Sequence, residues 1–102
     1  MTLKTTPFDA ADYLKDKEDV AAYLEVAFEE GDLQDIALAL GTVARARGMS
    51  EVARQAGVTR EGLYKAFSET GDPKLSTLLG TLQALGLKLS VKPVDENEDA
   101  AP

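Results

Sequence analysis

Residues 49–67 read MSEVARQAGVTREGLYKAF, and this window restricts the fold more than any other part of the chain. Two short helices meeting through a tight turn need a small side chain where they cross, and Ala53 supplies one. The turn needs a residue that tolerates positive φ, and Gly57 stands four positions later. An apolar residue must then plug the turn into the core, and Val58 follows at once. Thr59 can cap the second helix, and Leu63 and Ala66 anchor it inward. Val52 and Ala56 complete the inner face of the first helix. The window therefore predicts a helix at about 50–56 and another at about 60–67, arranged as a helix-turn-helix.

The flanking segments are helical as well. Val20, Tyr23, Leu24, Ala27 and Phe28 recur at helical spacing over about 17–29, with Asp16 or Asp19 as cap and Gly31 as stop. Asp32 restarts the pattern. Leu33, Ile36, Ala37, Leu40, Val43 and Ala44 mark a buried stripe over 33–47, ended by Gly48. Gly41, inside that stretch, points to a close approach by another element. Residues 68–74 form a turn cluster. A last helix at about 75–85 presents Leu75, Leu78, Leu79, Leu82 and Leu85, and Gly86 closes it.

Residues 87–92 read LKLSVK, a strict apolar/polar alternation that predicts a half-buried strand. A lone strand has no partner within this chain. It either pairs with its copy in a second subunit, the reading preferred here, or packs on the helices as an extended tail. Residues 1–16 are expected to be an arm, with Pro7 extended and Asp9 to Leu14 forming a helical turn around Phe8 and Tyr13. Residues 95–102 are expected to be a disordered acidic tail. The domain proper is thus 17–94.

Composition narrows the function. The chain has no cysteine and no histidine, so disulfides, thiolate metal sites and the commonest acid/base group are all missing. No catalytic residue, metal or cofactor is expected. Neither a membrane span nor a signal peptide is evident, so a cytoplasmic protein is the default. The net charge of −7 disfavours phosphate binding until its distribution is considered. Residues 1–36 hold 3 basic and 10 acidic side chains, 37–94 hold 8 and 4, and 95–102 hold 4 acids alone. A mildly basic middle separates two acidic ends.

Two of those cations lie on the second helix of the window, where Arg60, Glu61, Tyr64 and Lys65 point outward with Thr59 at the tip. Side chains at the start of such a helix can reach base edges in a DNA major groove. Arginine can bond guanine through two donors, and lysine or a hydroxyl can serve bases or phosphates. Ser50 is expected to cap the first helix, whose amides could meet a phosphate, with Arg54 one turn on. Glu61 repels phosphate unless it accepts from a cytosine amino group or pairs with Lys65. Any one of these cations alone would be ordinary solvated surface, and such a corner can be purely structural. Their concentration on one helix of an acidic chain favours DNA.

From about 8 to 91 the chain resembles the addiction-module antidote proteins, small Xre-type antitoxins encoded beside RelE/ParE-like (HigB-like) toxins. The likeness lies in FDAADYL at 8–14, in the acidic helix after it, and in ARARGMSEVARQAGVTREGLYKAFSETGDPKLSTLLGTLQALGLKLSV at 44–91. The resemblance implies an all-α, five-helix Xre/lambda-repressor-like helix-turn-helix domain with one short C-terminal strand. It also implies a homodimer that represses its own operon by binding operator DNA and neutralises a cognate toxin. Carried over by position, DNA contact falls on Ser50, Thr59, Arg60, Tyr64 and Lys65. Many relatives have Gln where this chain has Glu51, and an acid there makes contact with DNA harder. A stand-alone repressor and a protein-interaction module that reads no DNA are the rival readings.

Overall fold

A computed structural model describes residues 14–95. Residues 1–13 of the expected arm, with all of its turn but Leu14, and the acidic tail beyond Asp95 lie outside those residues. Asp16, in extended backbone, accepts from the Asp19 amide at 2.8 Å and so starts α1, Lys17–Glu30. Of the two expected caps, Asp16 is the one used. Gly31 closes α1 by donating to the Ala27 carbonyl at 2.8 Å. Asp32 then opens α2, Leu33–Arg47, with a reciprocal box: Asp32 accepts from the Asp35 amide at 2.9 Å, and Asp35 accepts from that of Asp32 at 3.4 Å.

Gly48, at φ 124°, turns the chain directly into α3, Met49–Ala56. Ser50 is therefore the second residue of α3 and not its cap. The glycine has no side chain to cap with, and α3 has no side-chain cap hydrogen bond. Gly57 is left-handed at φ 77°, ψ 27°, where a Cβ would meet the following carbonyl. Thr59 accepts from the Gly62 amide at 2.9 Å and starts α4, Arg60–Ala66. After the turn at 67–74 comes α5, Leu75–Ala84.

The core joins all five helices. Leu40, Val43, Val52, Leu63 and Leu85 are fully enclosed, with Leu24, Phe67 and Leu82 around them. Each such side chain contributes roughly 1.5–3 kcal/mol against exposure. Gly41 marks the close approach expected of it, since a Cβ there would stand 3.2 Å from the Phe67 carbonyl oxygen.

Three further expectations fail for identifiable reasons. Leu33 and Leu75 are 55% and 65% exposed, because each is the first residue of its helix and overhangs the core. Leu79 is exposed as well. α5 is rolled so that Thr77, Thr81 and Ala84 are buried, and Gly80 lies where a Cβ would come within 2.9 Å of Ala56 Cα in α3. Gly80 thus lets α5 come close to α3, while Leu82 and Leu85 of the leucine stripe remain buried in the core.

The third failure is the strand at 87–92. Among the described residues there is no strand, and this segment is irregular. A strand needs a ladder partner, and the single chain supplies none. Leu87 instead packs against the core, and Lys92 reaches Glu29 of α1 at 3.4 Å. Only Leu87 is packed on the helices, and residues 88–95 are exposed, so the single chain does not fully show either arrangement.

Candidate functional site

The side chains picked out by their chemistry gather on α4 and the outer face of α3. Leu63, fully buried, pins α4 to the core. A helix held from one side must present its remaining positions outward, and Thr59, Arg60, Glu61, Tyr64 and Lys65 are all exposed. The local order is modest but definite. The Arg60 guanidinium carbon lies 5.5 Å from the Tyr64 ring centroid, a cation–π contact one turn apart. The Thr59 hydroxyl oxygen is engaged in capping, so its hydrogen remains available to donate. Lys65 and Glu61 form no ion pair, and Lys65 stays an unpaired cation among the described residues.

Ser50 and Arg54 belong to α3 and are in a different condition. Ser50 is exposed. Arg54 donates to Glu51 through two nitrogens and forms an ion pair with it, and Gln55 donates to the same carboxylate at 2.6 Å. These hydrogen bonds, Arg54's first and Gln55's second, hold the Glu51 carboxyl below its ordinary value and keep the Arg54 guanidinium firmly charged. Arg54 would have to exchange Glu51 for a phosphate before contacting a nucleic acid. Gln55 was not foreseen, although its spacing of four from Glu51 is the signal that could have found it.

Arg47 was likewise missed. At the end of α2 it donates to the Ala84 carbonyl at 3.0 Å, satisfying the C-terminus of α5, whose own last turn holds no basic residue. Chemically, the α4 face offers guanidinium, ammonium and hydroxyl donors on a rigid support. It suits a polyanion better than a small substrate.

The chain matches, over residues 4–93, the family described as "Probable addiction module antidote protein". It belongs to that family, whose members counter a toxin, and a toxin partner follows from the membership. A Haemophilus influenzae protein described as "Uncharacterized protein" is 44% identical over 92 residues, covering 90% of this chain and 95% of its own length. No solved structure matches the chain. Among the described residues no helix is long and apolar enough to cross a membrane.

Proposed function

We propose that the chain is the antitoxin of a type II toxin-antitoxin module. In this reading it neutralises a RelE/ParE-like toxin in the cytoplasm and represses its own operon as an Xre-type helix-turn-helix dimer. Family membership supports the antitoxin part. The single observation that supports DNA binding is the exposed row Thr59, Arg60, Tyr64 and Lys65 on a helix anchored by the buried Leu63. Thr59, Arg60 and Tyr64 would enter the major groove, Lys65 and Arg54 would take phosphates, and Ser50 would lie at the backbone beside α3.

One such module would bury roughly 600–1,000 Å² on DNA, and its few cations would bind weakly and with steep salt dependence. Useful affinity therefore calls for a dimer, with half-sites about 34 Å apart or a multiple of that. The apolar positions Leu89 and Val91, 43% and 95% exposed, make 87–92 the segment proposed to pair between subunits.

Selection of bound duplexes from a random pool tests the reading. A two-fold symmetric consensus is expected, lost in Arg60→Ala and retained in Leu75→Ser. Leu89→Pro should weaken both dimerisation and binding. Absence of any enriched sequence would leave the chain a protein-binding antidote whose α3–α4 corner is structural.

A further inference from the structure

Between 18 and 44 the chain carries seven carboxylates and neither lysine nor arginine. An apolar groove of about 370 Å³ opens inside this stretch, between α1 and α2, with Tyr23, Val26, Leu38 and Ala39 along it and Asp35 on its wall. Val26 is 55% and Leu38 39% exposed. Single exposed aliphatics are ordinary, but here two face one groove. Glu30 stands four residues beyond Val26, on the same side of α1, and pairs with no cation among the described residues.

The chemistry of the groove selects its occupant. Nucleic acid is repelled by the carboxylates. A second copy related by a two-fold axis through the groove would bring two acidic faces together, and like charges across an interface are costly. A basic protein surface carrying one apolar side chain satisfies both requirements, with the apolar group desolvated at the centre and opposite charges at the rim.

We propose that the α1–α2 groove docks such a basic protein, with an apolar side chain seated between Val26 and Leu38 and lysines or arginines facing Glu30 and Asp35. The inference rests on the antitoxin reading, which makes that partner the toxin. The groove is separate from the α4 face, so one chain would offer an acidic surface to protein and a basic one to DNA.

The test titrates the full-length chain with the protein encoded by the reading frame adjoining its gene, by calorimetry at low and high salt. Val26→Ser and Leu38→Ser should each weaken binding about tenfold or more. Glu30→Lys should weaken it chiefly at low salt. Val26→Ser and Glu30→Lys should melt as the parent does, and Leu38→Ser, which gives up part of a half-buried side chain, slightly below it. If the parent binds and all three variants bind equally well, the groove is not the site, although the antitoxin reading stands. If the parent does not bind, that reading falls and takes this inference with it. A change in oligomeric state in Val26→Ser or Leu38→Ser would instead assign the groove to a second copy. A lower melting temperature in Val26→Ser at unchanged partner affinity would assign it to the chain's own residues.

Discussion

Thr81 is fully buried in α5, and its hydroxyl oxygen has no hydrogen-bond partner among the described residues. Burying a hydroxyl without a partner costs about 1–3 kcal/mol, whereas replacing it with an apolar group of the same shape removes that cost. Thr81→Val is such a replacement. Helix propensity barely enters, because threonine and valine rank together. The expected gain is about 1–2 kcal/mol, which for a domain of this size raises the melting temperature by roughly 4–16 °C. Circular dichroism melts and urea titration at one fixed protein concentration would read it, since a dimer's stability depends on concentration. Thr81→Ser keeps the hydroxyl and loses a buried methyl, so it should cost about 1 kcal/mol. If Thr81→Val destabilised the chain while Thr81→Ser did not, the hydroxyl would be making a bond that the isolated fold does not contain.

Three further outcomes follow from the geometry. Gly80→Ala gains about 1 kcal/mol of helix propensity but forces a Cβ to within 2.9 Å of Ala56 Cα. Overpacking against backbone costs about 1–3 kcal/mol, so a net loss is expected in urea titration, and a gain would mean that α5 is free to shift. Gly57→Ala meets no atom within 4 Å but inherits φ 77°, so it should cost about 1–2 kcal/mol through the backbone alone, with Gly57→Asn milder on the same titration. Arg54→Ala should raise the titration midpoint of Glu51, followed by carbon-detected NMR. The hydrogen bonds from Arg54 and then Gln55 hold that carboxyl below its ordinary value in the folded chain. Its small contribution is therefore complete above that ordinary value and lost as pH falls through the folded one. An unmoved midpoint in Arg54→Ala would show that the pair does not persist in solution.

Much of the molecule was legible before any coordinate. The helix limits lie within a residue or two of the spacing-based ones, because Asp16, Asp32, Thr59, Gly31 and Gly57 act through local backbone chemistry that needs no distant partner. The outward set on α4 was legible for the same reason. Once Leu63 and Ala66 point inward, helical geometry leaves Arg60, Glu61, Tyr64 and Lys65 no other side.

What escaped depended on contacts between segments far apart in the chain. Ser50 reads as a cap until Gly48 is seen to join α2 to α3 without an intervening loop. Five leucines advertise one face of α5, yet Leu75 and Leu79 are exposed and Gly80 makes the close approach to Ala56 of α3, because a residue without a side chain carries no hydrophobic signal. Arg47 looks like surface charge until the end of α5, thirty-seven residues later, arrives beside it. The alternation at 87–92 describes a strand, but a strand also requires a neighbour. Local propensity and capping lie in the order of residues, whereas roll, register and the pairing of chain ends are decided by which surfaces meet when the helices pack.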